Sequence, residues 1–367
     1  MRVLLVGAGA DIAIRDVEDG FRRALGELLG DGLYFYDLAA RLSLAQRWLS
    51  MLWRARGAVP EDRPSWPEAI YRGGVEALEM ALRFQVDWVI AISGMFLHPD
   101  ALGLMKRAGL RTGVIFTESP YEDAAQARVA SLVDVCWTSE RSSVPRLQMA
   151  NRKTQYLPHA YDPQRHAPAA PDGPDDVPAH DVVFVGTGFH ERVELLADVD
   201  WAGIDFGLYG TWTLLGSRHP LRQHLRGGTM TNARTIALYR RAKIGLNLYR
   251  SSERYGRNAP RVAEAESLNP RAYELAACGV FQISDWRPEV AEVFGSAVPT
   301  VDSAAELSAQ LRYFLAHPEG RAASAHRARL AVQPQTFAAR AAQLLEDLDA
   351  VEDSSQPLPA LAGQKGA

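Results

Sequence analysis

The stretch Glu266–Trp286, ESLNPRAYELAACGVFQISDW, decides how this chain is built. Asn269 is a good N-cap, and Pro270 suits the first helical position, where its missing N–H costs nothing. The pattern predicts a helix from Pro270 to about Ala277. Gly279 ends it, and VFQIS then reads as a buried strand. Strands alternating with helices in this way imply βαβ units and a parallel, doubly wound sheet. The stretch also carries chemistry. A helix N-terminus offers unpaired N–H groups and a positive dipole end, which suit a phosphate but disfavour a cation such as Arg271. A ligand phosphate accounts for Arg271. Glu274, one turn on, lies on the same side and is placed to accept from a ribose diol. Glu266, on the loop before the helix, is placed to reach a second group of the same ligand. The competing reading is a surface arginine and solvated acids around an ordinary helix, since E-x7-E often arises by chance.

Outward from this stretch the alternation continues in both directions. Toward the N-terminus, RVLLVG, GLYFYDL, DWVIAIS (Asp87–Ser93), RTGVIF (Arg111–Phe116), VDVCWTS (Val133–Ser139) and TQYLP form a first α/β half, with helical patterns at Val17–Leu29 and near Pro99–Ala108. HAPAAPDGPDDVPAHD, His166–Asp181, is rich in Pro, Ala and Asp without apolar periodicity and reads as a linker. A second alternation follows: VVFVGTG, IDFGLYG, AKIGLNLY, VFQIS and AVPTV. Ser303 and Glu306 have capping-box spacing and open a helix to about His317. A last amphipathic helix spans about Thr336–Asp349 and is expected to cross back onto the first domain. The expected organisation is therefore an N-terminal domain over 1–165, a linker over 166–181 and a C-terminal domain over 182–335. A returning helix over 336–350 and a disordered tail over 351–367 complete it. Two such halves place a ligand in the cleft between them.

Composition narrows the function classes. At 367 residues, 47% hydrophobic and 23% charged, with net charge −4, the chain has no bulk pull toward nucleic acid or anionic membrane. No apolar run approaches the roughly 18 residues of a membrane span, and the start MRVLLVG does not read as a signal peptide. Cys136 and Cys278 show no CxxC or zinc spacing, and the nine histidines show no ligand spacing. A reducing cytoplasm and no structural metal are the expectations.

The pieces around the opening stretch, taken in order, resemble the GT-B-fold glycosyltransferases, in particular the retaining type and its CgeB-like, spore-maturation branch. Glu266-x7-Glu274 followed by LAACG matches the E-x7-E motif with its small-residue run. YLPHAYDPQRHAP matches the segment leaving the first domain, and FVGTGFHERVELL the first strand and loop of the second. EVAEVFGSAVPTVDSAAELSAQLRYFLAHPEGRAASAHRAR matches the C-terminal region. The resemblance is close over most of Val182–Arg340 and looser in the first half. It implies two Rossmann-like doubly wound domains facing a cleft (GT-B). The donor is a nucleotide-diphosphate sugar bound by the second domain, and the first domain is the acceptor side. Transfer proceeds with retention, and no metal or other cofactor is required. Carried over, Glu274 becomes the ribose ligand and Glu266 the donor-sugar ligand. Asn269, Arg271, Gly186 and Arg192, the last expected on the loop after Val182–Gly186, surround the diphosphate. SLNP stands where the family has Gly-Phe-Gly after the first glutamate.

In the first domain, VGAGAD has dinucleotide-fingerprint glycines, but the third would fall on Ile12, so the pattern fails where the helix must pack close. Gly7, Gly9 and Asp11 nonetheless sit on a strand-end loop that serves the cleft. In FTESPYED, Glu118 and Ser119 point to the same cleft; Glu118 reads either as a catalytic acid or as a helix-start acid before Pro120. His98 in SGMFLHP reads as structural, and the DVD at Asp198–Asp200 as surface. Arg250, Arg254, Arg257 and Arg261 form a basic loop, either solvated or in contact with acceptor or diphosphate. The rival functions are an NAD(P)-dependent oxidoreductase and a catalytically silent nucleotide-sugar binder. The acceptor class stays open: protein, glycan, small molecule or modified DNA.

Overall fold

The structure, a computed structural model, describes residues 1–353 apart from 11–13, 169–176, 257 and 263. Asp11, Arg257, the middle of the expected linker and the chain after 353 lie outside the described residues. The first half forms one sheet of β1 (Val3–Val6), β2 (Leu33–Tyr36), β3 (Trp88–Ile92), β4 (Arg111–Phe116), β5 (Val135–Thr138) and β6 (Thr154–Tyr156). The second sheet is built from β7 (Val182–Val185), β8 (Phe206–Tyr209), β9 (Leu225–Gly227), β10 (Ile244–Asn247), β11 (Phe281–Asp285) and β12 (Thr300–Val301). Their spatial orders are β2-β1-β3-β4-β5-β6 and β12-β11-β10-β7-β8-β9, with every strand pair parallel. Central strands such as VLLV and WVIAI are buried on both faces, which is why they read as unbroken apolar runs. The short edge strand β9, not foreseen in the sequence, carries an exposed Arg226 and no apolar run.

Helices cover both faces of each sheet. On one face of the first sheet, Val17, Phe21, Ala24 and Leu25 of the helix Arg15–Leu29 meet Phe337, Ala341, Leu344 and Leu348 of the final helix Phe337–Asp353 in one apolar cluster. Gly20 permits this approach: a Cβ there would lie 2.3 Å from the Phe337 ring. Trp137 of β5 adds a polar tie, its Nε1 donating to Asp347 Oδ2 at 2.8 Å. The final helix thus packs on the first sheet although the chain reaches it from the second. Where it returns, Tyr161 N donates to Gln335 O at 3.1 Å and Phe337 N to Tyr161 O at 3.2 Å, so the two crossings lie side by side. Among the described residues no helix is long and apolar enough to cross a membrane.

Candidate active site

The second sheet reverses its order between β7 and β10, and the crevice beyond the carboxyl ends of such strands is where doubly wound sheets take ligands. The helix Pro270–Ala277 points its N-terminus into this crevice, with Asn269 Oδ1 accepting from Ala272 N at 3.1 Å as the cap. Arg271, in its first turn, donates Nη1 to Leu248 O at 3.3 Å and lies 4.7 Å from the centre of the Phe184 ring. Gly186 makes the room, since a Cβ there would lie 2.7 Å from Arg271 Nη2.

Arg192 departs from its expected place. It lies not on the loop but inside the helix His190–Ala197, because the connection after β7 turns helical within a few residues. Its guanidinium is buried, donates Nη1 to Thr187 O at 2.8 Å and sits 5.4 Å and 5.2 Å from the ring centres of Phe184 and Phe189. Arg192 and Arg271 therefore share the Phe184 ring. The Nε of each is buried without a hydrogen-bond partner, and among the described residues neither forms an ion pair. Burial, and after it the charge of Arg271, pushes Arg192 down to about 9. Arg192 feels Asp285 and Arg271 the carboxyl of Glu274, but the two guanidiniums crowd one ring beside a helix N-terminus, where a further anion is favoured.

Glu274 lies one turn beyond Arg271. Burial pushes it up to about 7, against the opposing pull of Arg271. Across the cleft stands Asp16, pushed up to about 6 by burial and then by the charge of Glu274, while Arg165 Nη1 holds it at 2.9 Å. Asp16 was not singled out in the sequence.

Beside the helix start, a cavity of about 170 Å³ lies between the domains, walled by Thr117, Glu118, Ser139 and His159 from one side and by Arg192, Asn269 and Arg287 from the other. Thr117 Oγ1 and Tyr249 Oη, also in its wall, have no hydrogen-bond partner. His159 is neutral there, pushed down to about 4 by burial and then by Arg340. Glu118 faces Arg250 Nη1 at 3.3 Å across the domains. Glu266 is not among the lining residues: its half-exposed carboxylate takes Arg141 Nε at 2.8 Å on Oε2. Gly7 and Gly9 are also absent from the wall. A Cβ on Gly7 would lie 2.6 Å from Glu18 Oε2, which accepts from Ala8 N at 2.7 Å, and one on Gly9 would strike the Phe96 side chain. The Glu18 carboxylate thus occupies the position a pyrophosphate needs in a dinucleotide fingerprint, which disfavours the oxidoreductase reading.

Residues that the sequence left unmarked join the domains. Glu140, buried on the loop after β5, accepts from Ser142 N and from Glu266 N, both at 3.0 Å, and from Ser267 N at 3.1 Å. The buried Arg287 lies 3.5 Å from Glu140 and donates to Ser267 O at 3.3 Å and to Tyr121 Oη at 2.9 Å. Elsewhere, His98 caps the helix Pro99–Arg107, accepting from Asp100 N at 3.2 Å. Asp200 pairs with Arg312 on the surface, and Arg261 with Glu194 at 3.3 Å. No group of three or more His, Cys, Asp or Glu among the described residues is placed to hold a metal ion.

Known proteins share this fold. Residues 191–346 match the family described as glycosyl transferase-like. Over 97% of its length the chain superposes on all of a sucrose-phosphate synthase from Thermosynechococcus elongatus, with TM-score 0.62 and 12% identity. Similar superpositions hold for Anabaena Alr3699/HepE in complex with UDP-glucose (TM-score 0.61, 13% identity, 95% of this chain and all of that one) and for the α,α-trehalose 6-phosphate synthase of Burkholderia multivorans (0.59, 11%, 97% and 100%). Fold and family match together define the class: this is a glycosyltransferase with the GT-B fold. Spore protein CgeB of Bacillus subtilis is 23% identical over 255 residues, covering 67% of this chain and 77% of CgeB. Within the class, the chain resembles this CgeB protein.

Proposed function

We propose that the donor is a nucleotide-diphosphate sugar and that transfer proceeds with retention of anomeric configuration. The observation that carries this reading is the pair Arg192 and Arg271, two cations on one ring beside a helix N-terminus, each with a buried Nε that has no hydrogen-bond partner. In this reading the diphosphate lies between them and against the first N–H groups of Pro270–Ala277. Its growing charge as the sugar leaves is stabilised by groups already in position, the largest single contribution available to such chemistry. Ionised Glu274 accepts from the ribose diol. The sugar enters the cavity beside Glu118 and His159, and Glu266 offers its carboxylate from the neighbouring loop. Retention rests on the E-x7-E resemblance. The acceptor approaches from the first domain, and two buried unpaired cysteines, Cys136 and Cys278, fit a reducing cytoplasm.

Thermal-shift screening against UDP, GDP, TDP and ADP sugars tests the donor, because a ligand at 100 times its Kd adds about 2.7 kcal/mol of stability. One nucleotide class should raise the melting temperature of the native chain and not of Arg271→Ala. No response to any nucleotide sugar refutes the reading. Proton NMR of the first-formed anomer then decides retention.

A further inference from the structure

We propose that Glu140 is a positioning residue that couples closure of the two domains to placement of the loop bearing Glu266; the sugar-contacting part of this inference rests on the function proposed above. The three consecutive backbone N–H groups of this loop are all taken by carboxylates. Leu268 N donates to Glu289, within its own domain. Glu266 N and Ser267 N donate to the two oxygens of Glu140, which comes from the opposite domain. Two of the loop's three N–H bonds thus exist only when the domains meet, while its carbonyls at Glu266 and Ser267 are held from within its own domain by Glu289 N and Arg287, both at 3.3 Å.

The surrounding contacts act in the same sense. Glu140 is itself pre-set, its Oε1 also accepting from Ser142 N at 3.0 Å and Ser142 Oγ at 2.8 Å. The next residue, Arg141, donates its backbone N to Ser267 Oγ at 3.0 Å, its Nε to Glu266 Oε2 at 2.8 Å and Nη1 to Glu292 at 2.7 Å. Arg287 completes the circuit. It lies against Glu140 and the Ser267 carbonyl while reaching Tyr121 of the first domain. Glu140 is buried, so its charge is balanced, among the described residues, by Arg287 and by these donors. Opening the domains strips that balance, and closing them restores it while fixing the loop that leads into Pro270–Ala277. The nucleotide side of the site, Arg192, Arg271 and Glu274, lies wholly on the second domain. The two functions should therefore separate on mutation.

Hydrogen exchange by mass spectrometry on the full chain reads the coupling without any substrate. In Glu140→Ala, peptides covering 266–268 should exchange at least about tenfold faster, while those covering Phe281–Asp285 stay as in the native chain. Unchanged exchange at 266–268, or an equal rise across the second domain, overturns the proposal. With whichever of UDP, GDP, TDP or ADP sugar the native enzyme turns over, Glu140→Ala should lower kcat at least tenfold. KM and affinity for the free diphosphate should stay within about twofold. Glu140→Gln, which keeps one acceptor oxygen, should fall between. Faster loop exchange with unchanged kcat also overturns the positioning role. A native chain that turns over none of these donors refutes the proposed function instead, and the exchange experiment still decides the coupling.

Discussion

Replacing Glu274 by Gln tests the centre of the site, because two effects of opposite sign are expected from one atom change. Raising this carboxyl from its ordinary 4.5 to about 7 costs its ionised form roughly 3 kcal/mol. The folded chain holds the proton more tightly than the unfolded chain, so the folded state is favoured by acid. The penalty is absent below pH 4.5, grows as pH rises and is complete above about 7. Glutamine carries no such penalty. Allowing half of the gain for burial of the new amide leaves about 1–2 kcal/mol at pH 8, or a rise of roughly 2–8 °C in melting temperature for a domain of this size. At pH 5 the variant and native chains should melt together. Nucleotide binding should move the other way. Losing a charged acceptor for the ribose diol costs about 1.5–3 kcal/mol, ten- to over a hundredfold in Kd. Native affinity for the free diphosphate should itself rise between pH 6 and 8 as Glu274 ionises. Scanning calorimetry at the two pH values and titration calorimetry with free nucleoside diphosphate make both measurements. A variant that melts alike at pH 8, or that binds nucleotide as the native chain does, refutes the reasoning.

Gly186→Ala should displace the Arg271 guanidinium, a flexible side-chain end, and so weaken diphosphate binding at least fivefold by titration calorimetry with less than about 2 °C change in melting temperature. Arg192→Met, which removes one of the two cations on the Phe184 ring, should abolish measurable diphosphate binding in the same titration. Glu266→Ala should leave free diphosphate affinity intact and lower kcat and kcat/KM together, at least tenfold or about 1.4 kcal/mol of barrier, in steady-state assays. Gly20→Val should drive a methyl into the Phe337 ring and cost about 1–3 kcal/mol by thermal denaturation, with little effect on diphosphate affinity.

What the sequence made legible follows from how local each signal is. The helix Pro270–Ala277 appears with the bounds its cap and proline indicate, because Asn269, Pro270 and Gly279 act within one or two turns. The buried strands are legible for the same reason, and β9 is not, because three half-exposed residues carry no period. Arg192 shows the first kind of failure. HERVELL reads as a loop running into a helix, and nothing local reveals that this arginine turns inward onto Phe184 and Phe189. Glu140 shows the second. In TSERSS it is an ordinary surface acid, and its partners at Glu266, Ser267 and Arg287 lie more than 120 residues away. Glu274 shows the third: the role proposed for it comes from the motif, its raised affinity for a proton only from the burial that the fold imposes.

The paired crossings at Tyr161 and Phe337 limit what the molecule is free to do. A lone tether would let two bodies twist and drift independently. Two adjacent straps, knitted to each other by backbone hydrogen bonds, leave chiefly a swing about a line near the knot, as with a door hung on one edge. Opening and shutting the cleft then sweeps the rim farthest from the straps through the widest arc, while the strapped side, where Tyr161 packs with Leu268 and Ala272, hardly moves. The same stitching means that no single cut yields a self-sufficient half. A fragment ending before Thr336 would leave Phe21, Ala24 and Leu25 facing water, and its partner would carry an orphaned apolar helix.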